Sequence, residues 1–320
     1  MSEILAPCGA QESLSAAVNA GADAVYLGEE YFSARKNADN FTAEQLCEAV
    51  RFCHYSGVKV YVTLNTLVFD REIPLLAKAI ENCAKADVDG FIVQDMGVAR
   101  LARQIVPELP LHASTQMTVN SPEGAITAKK LGFTRVVLGR ELSYEQIKAI
   151  VDSCDIETEL FVHGALCVCL SGQCYMSSVL GGRSGNRGRC AQTCRLPYTL
   201  YKGYDSMAEG YLLSPKDVMT VELLPQLIEA GIASLKIEGR MKSPEYVAGV
   251  TRIYRKYIDL YFENPEEYKV DPADIKALQQ LFNRGGFTEG YYTSFAGREM
   301  MSIERPKSWG LKVGIVDKYL

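Results

Sequence analysis

Eight short apolar runs recur along the chain, at 4–9, 24–28, 58–64, 90–93, 109–113, 135–138, 158–162 and 233–237. Most are separated by segments with helical periodicity, such as Leu75 to Lys85 and Tyr144 to Val151. A strand followed by a helix and then another strand returns the chain to the same end of a sheet, so this alternation demands parallel strands with crossover helices. Eight such units in about 260 residues suit a closed barrel better than an open doubly wound sheet. The expected fold is therefore α/β, a (β/α)8 TIM-like barrel with a cysteine-rich insertion after strand 7 and a small C-terminal appendix. The barrel is expected over 1–262, including an insertion at 164–210, and the appendix over 263–320.

The insertion is where the pattern breaks. Residues 164–210 hold five cysteines and eight glycines with no clear period. A stretch this long without regular structure is uncommon in a compact domain unless it binds something. Beyond it, Ser243-Pro244-Glu245 is a helix start, with serine as N-cap and proline in the first turn, and the helix is expected to run to about Phe262. The appendix reads as a short helix near 271–281, then a Gly-rich aromatic stretch from Phe282 to Tyr291. Gly310 to Asp317 alternates like a new strand with nothing obvious to pair against, as at one end of a longer protein.

Composition sets the setting for this fold. With 34 Lys+Arg against 39 Asp+Glu the net charge is -5, which excludes a global attraction to polyanions or anionic membranes. Any nucleic-acid contact must use a local patch. No window approaches 18 consecutive apolar residues, and the N-terminus has neither the basic start nor the apolar run of a signal peptide. A cytoplasmic location is expected, with no membrane partner. Thiols would stay reduced there, so clustered cysteines read as metal ligands or reactive groups.

Polar residues gather just past the strands, where barrel enzymes build their sites. They include Cys8, Asn65, Gln94, Asp95, His112, Ser114, Gln116, Arg140, Glu141, His163, Lys236, Glu238 and Arg240. Any one of them is accounted for by loops being polar; the concentration of Arg, His and Gln is not. His112, Gln116, Arg140, His163, Lys236, Glu238 and Arg240 are expected to line one cavity. His163, Glu238 and His112 are its candidate catalytic groups, with Glu238 orienting a basic partner or moving a proton. Arg140, Lys236 and Arg240 offer charge-assisted donors to a small dicarboxylate.

Within the insertion, Cys167, Cys169, Cys174, Cys190 and Cys194 form C-x-C-x4-C and C-x3-C groups separated by 15 residues. Four or more thiols this close suggest a metal. Structural zinc favours C-x2-4-C pairs, which Cys190/Cys194 fit and Cys167/Cys174 do not, whereas iron–sulfur ligands vary more in spacing. The other cysteines lie in apolar segments as small buried hydrophobes. Arg183, Arg187, Arg189 and Arg195 fall within 13 residues free of acids. Such a run is either a solvated basic loop or a set of two-pronged donors for phosphate or carboxylate.

The segment from Glu159 to Ser177, ELFVHGALCVCLSGQCYMS, closely resembles the signature of peptidase family U32, the collagenase-like proteases. Further segments similar to the family are Leu5–Gly9, Ala24–Gly28, Phe32–Arg35, His112–Gln116, Arg140–Ser143, Leu235–Arg240 and Phe282–Gly285. The resemblance implies two kinds of activity. Some members are named proteases; others hydroxylate a tRNA uridine or an rRNA cytidine using prephenate and an iron–sulfur cluster, and further relatives serve oxygen-independent ubiquinone hydroxylation. It also implies a [4Fe–4S] cluster held by Cys167, Cys174, Cys190 and Cys194, with Cys169 as an extra thiol.

The residues themselves are unkind to the protease reading, since G-x-S-x-G and H-E-x-x-H are absent. A Cys-His pair would have to be assembled from His163 and Cys167 or Cys169, and thiols committed to a cluster cannot also be nucleophiles. An RNA-modifying hydroxylase therefore ranks first, a peptidase second and a non-catalytic metal-stabilised binding protein third. The RNA is expected to reach the barrel mouth past Arg183, Arg187 and Arg189; Tyr291, Tyr292 and Phe295 are candidate stacking surfaces, with core packing the favoured role for each.

Overall fold

A computed structural model describes residues 2–35, 38–293, 297–310 and 314. Seven strands follow one another around the barrel: β1 (Glu3–Pro7), β2 (Ala24–Leu27), β3 (Lys59–Leu64), β4 (Gly90–Val93), β5 (Leu111–Ala113), β6 (Arg135–Val137) and β7 (Glu157–Ala165). Two further strands, β8 (Tyr198–Lys202) and β9 (Asp205–Gly210), make an exposed antiparallel hairpin in the insertion, and β10 (Asp217–Met219) follows. The eighth barrel strand is β11 (Ser234–Ile237), which pairs in parallel with both β7 and β1 and so closes the ring. The expected (β/α)8 barrel is the observed fold, all eight strands at the sites of the apolar runs.

Helices α1 (Gln11–Asn19), α2 (Ala43–Tyr55), α3 (Ile73–Lys85), α4 (Met96–Ile105), α5 (Pro122–Lys130) and α6 (Tyr144–Ser153) fill the crossovers between β1 and β7. Their starts are written locally. Thr42 with Gln45 and Ser143 with Gln146 form reciprocal capping boxes that satisfy otherwise orphaned backbone donors. Ser243 caps α9 (Pro244–Glu263) by accepting from the Tyr246 backbone N–H. That helix buries Val247, Val250, Tyr254 and Tyr257 against the barrel wall, each worth roughly 1.5–3 kcal/mol on transfer from water.

Two apolar cores result. The large one lies between strands and helices; a smaller one of Leu5, Ala24, Tyr26, Tyr61 and Ile92 plugs the barrel itself. Besides its hairpin the insertion contains a short helix, α7 (Met176–Gly181), and two 3-10 turns at Gly185–Arg187 and Thr193–Arg195, and α8 (Leu224–Glu229) returns the chain to the barrel. The three-residue β10 pairs antiparallel with the overhang of β7, from His163 to Ala165. It carries too little alternation to be read from sequence.

The C-terminal segment is stitched to that overhang. Helix α10 (Pro272–Leu281) packs on α9, and β12 (Phe287–Thr288) pairs with β10. Backbone N–H groups of Tyr211, Lys216 and Ser302 donate to Ile303, Met300 and Ser214. Beneath them Arg284 and Asp217 form a buried ion pair. The strand-like alternation at 310–317 and the stacking residue Phe295 fall outside the described residues, Gly310 and Gly314 excepted. Among the described residues no helix is long and apolar enough to cross a membrane.

Candidate active site at the barrel mouth

Side chains that alternate inward carry charge down the barrel axis. Glu159 of β7 is fully buried, 2.8 Å from Lys236 Nζ and 3.2 Å from Arg135 Nη1. Arg135 also reaches Glu3 at 2.6 Å and Glu157 at 2.8 Å. Burial favours the neutral form of Glu159, but Lys236 and Arg135 outweigh it and hold the carboxyl below the usual range. Lys236 also lies over the rings of Tyr26, at 4.3 Å, and Phe161, at 5.3 Å. Every cation in this column faces an acid.

One layer up, the balance changes. Glu238 accepts from Arg35 at 3.0 Å and from Arg140 at 3.4 Å. Arg240 donates to Ser33 at 2.6 Å, Thr63 at 3.0 Å and Asn40 at 2.5 Å, all neutral groups. Burial alone would raise the Glu238 pKa, yet Arg35, Arg140, Lys236 and Arg240 overcome it and keep the group ionised. Arg240, pushed down to about 10 by burial, is still charged at neutral pH. Three guanidiniums thus share one carboxylate around a cavity of about 60 Å3, whose wall also includes Asn65, Ser114, Thr115 and Gln116. Gln116 Oε1 and Arg240 Nε are buried without a partner. Gly28 makes this packing possible, because a Cβ there would stand 2.4 Å from Arg240 Nη2 and 2.6 Å from Asn40 Oδ1.

The insertion roofs this mouth. Ser171 donates its N–H and hydroxyl to Glu141 at 2.8 and 2.9 Å, and Thr118 donates to the Ser171 carbonyl at 2.7 Å. Gly172 sits so close to Gln116 that a Cβ would fall 2.2 Å from its carbonyl oxygen. Farther along, Arg187 makes two bonds to Glu72, at 2.6 and 2.9 Å, and lies 4.3 Å above the Phe69 ring. This pair pulls the Glu72 carboxyl down to about 2.

The roof carries the cysteines. Cys194 lies within electrostatic reach of Cys167, Cys174 and Cys190, and Cys167 in turn reaches Arg35 in the cavity wall. Cys169 lies within electrostatic reach of Cys174 and Cys167. Cys190 Sγ accepts the Gln192 N–H at 3.3 Å, the kind of bond that cluster sulfurs take. Among the described residues no three His, Cys, Asp or Glu side chains are arranged to hold a metal ion. The donor set is an all-thiol quartet on one loop, the ligand type that iron–sulfur clusters take.

Five of the seven residues expected in one cavity meet there: Gln116, Arg140, Lys236, Glu238 and Arg240. The other two do not. His112 points into the barrel but below the mouth, its ring 4.6 Å from Tyr61. Burial, reinforced by Arg135, pushes its pKa down to about 3. His163 leaves the interior altogether, because a register shift opposite Lys236 and Ile237 turns it out of the Glu159/Phe161 face. It packs against Tyr246, Tyr254 and Phe287, burial pushes it down to about 3, and its Nε2 has no hydrogen-bond partner.

The arginine run divides as well. Arg187 is committed to Glu72, and Arg195 turns inward beneath the roof; Arg183 and Arg189 are exposed. Tyr292 is a core residue whose hydroxyl donates to the Phe161 carbonyl at 2.8 Å, and Tyr291 also packs on the core, so both take the favoured core role rather than the stacking one. Sequence reasoning missed Arg35, which the β2–α2 loop brings to Glu238. Its place in the Phe32–Arg35 family segment was the available signal.

The family model for peptidase family U32 matches residues 9–302. The chain is 38% identical to the tRNA hydroxylation protein P1 of Bacillus subtilis over 99% of its length and 77% of that protein. It is 40% identical to the 23S rRNA 5-hydroxycytidine C2501 synthase of Escherichia coli, again over 99% of its length but only 49% of that enzyme. A collagenase of Porphyromonas gingivalis is 38% identical, over 91% of this chain and 73% of the relative. With a match across its barrel, roof and C-terminal segment, the chain belongs to peptidase family U32.

Proposed function

We propose that this protein is an RNA-modifying enzyme that hydroxylates a pyrimidine base of tRNA or rRNA in the cytoplasm. The observation that carries the reading is the mouth itself: three guanidiniums around one carboxylate, directly under a loop of clustered thiols. The names of relatives matched over nearly the whole chain point the same way. Cys167, Cys174, Cys190 and Cys194 would hold a [4Fe–4S] cluster, which supplies electron transfer at the roof when bound. Arg35, Arg140 and Arg240 would hold a small dicarboxylate, with prephenate as the co-substrate, by charge-assisted bonds. Glu238 would balance these cations before the acid arrives and take or return a proton at its Oε2.

The collagenase relative keeps a peptidase as the second reading. His163 speaks against it. A thiolate peptidase needs its base within hydrogen-bond reach of the thiol, and this ring is enclosed by Tyr246, Tyr254 and Phe287. The test is mass spectrometry of tRNA and rRNA nucleosides from cells with and without the gene, beside a peptidase assay on anaerobically purified protein. Loss of a hydroxylated pyrimidine is expected. Unchanged RNA together with peptide cleavage independent of iron would reverse the order.

A further inference from the structure

We propose that Arg195, backed by Arg284 and Lys242, is the counter-charge that sets the reduction potential of the cysteine quartet. The inference rests on the iron–sulfur reading of that quartet. Arg195 is a half-buried guanidinium, and its hydrogen bonds go only to neutral groups: Ser214 Oγ at 2.7 Å, the Pro215 carbonyl and the Leu166 carbonyl at 2.9 Å. Drawing a cation part-way out of water with no acid bonded to it is costly, and a negative charge within reach offsets that cost. Two cations share its surroundings, Arg284 and Lys242. The nearby carboxylate, Asp217, is already paired with Arg284.

Arg195 and Arg284 against one carboxylate leave an excess of positive charge, to which Lys242, pushed down to about 7 by burial, adds only in part at neutral pH, and the groups of opposite sign within reach of Arg195 are Asp217, Cys194 and Cys167. Arg195 follows Cys194 in the chain and bonds the carbonyl that precedes Cys167. It therefore ties together the two ends of the thiol loop. A cluster on four thiolates is net negative and becomes more so on reduction. A fixed cation beside it favours the reduced form and raises the potential. Arg195 is thus a tuning and positioning group rather than a member of the RNA-facing patch.

The test is a redox titration of anaerobically purified protein, followed by visible absorption and electron paramagnetic resonance, with iron counted per chain. Arg195→Gln is expected to titrate at a lower potential than the parent, and Arg195→Lys to restore much of the difference. Ser214→Ala, which removes one neutral hydrogen bond and keeps the charge, should leave the potential in place. Should Arg195→Gln fail to fold, Lys242→Gln, titrated below pH 7 where the parent amine is charged, should give a smaller shift of the same sign. Equal potentials in the parent, Arg195→Gln and Lys242→Gln, at equal iron content, would overturn the proposal. A parent protein that takes up no iron would overturn the cluster reading beneath it, a distinct result seen before any variant is made.

Discussion

The lower barrel and its mouth are both lined with charge, yet they keep different accounts of it. Below, Arg135 and Lys236 are met by Glu3, Glu157 and Glu159. Above, Arg35, Arg140 and Arg240 face the carboxylate of Glu238, and Arg240 bonds only neutral oxygens. A balanced buried network holds shape: its parts satisfy one another and leave nothing for a ligand. An unbalanced one is stable only with water or an anion, and so marks where chemistry enters.

The sharpest break of this comparison is Glu159→Gln. It leaves Lys236 buried without its acid, while Arg135 keeps Glu3 and Glu157, and should cost about 3–5 kcal/mol in denaturant unfolding. A loss below about 1 kcal/mol would mean the column is not what holds the barrel interior together. The pH dependence follows from the depressed carboxyl: its stabilisation is complete above the ordinary value of 4.5 and fades as pH falls through the lower folded value. The variant should therefore flatten the acid limb of the stability curve.

At the mouth the order of effects should invert. Arg35→Gln removes a partly exposed cation, so stability should move by less than about 1 kcal/mol. Titration calorimetry with prephenate should meanwhile show binding weaker by about 10- to 100-fold, the worth of a hydrogen bond between charged groups. Equal affinity would remove Arg35 from the acid site. Glu238→Gln sharpens the contrast further, because removing the competing carboxylate should tighten prephenate binding several-fold while turnover falls. Weaker binding instead would make Glu238 a binding group. The smallest effect is expected at His163, where Phe fills similar space; stability should change by less than about 1.5 kcal/mol and the hydroxylated nucleoside should persist. Loss of that nucleoside in a folded His163→Phe protein would return the ring to the chemistry.

These contrasts also separate what was legible in the chain from what was not. Cys167, Cys174, Cys190 and Cys194 were readable because they cluster in one segment that breaks the βα pattern, and within each pair the spacing is short enough to keep the thiols near one another. Arg140, Lys236, Glu238 and Arg240 were readable because a parallel barrel delivers every strand end to one mouth. Arg35 was not, since it arrives on a loop after β2 whose path depends on contacts with Asn65 and Glu238. Arg187 and Arg195 looked alike in a run free of acids, and only packing gave one a carboxylate and the other a half-buried neutral pocket.

His163 shows the limit most plainly. Strict alternation along β7 places residues 159, 161 and 163 on one face, and the shift of pairing opposite β11 sends the last of them outside. The sequence by itself determined the eight βα units, the helix caps and the thiol loop, because periodicity, capping and short loops act over a few residues. Strand register, the partner of each buried charge and the seating of the roof were decided only in the folded molecule, since each depends on groups tens to hundreds of residues apart competing for the same buried space.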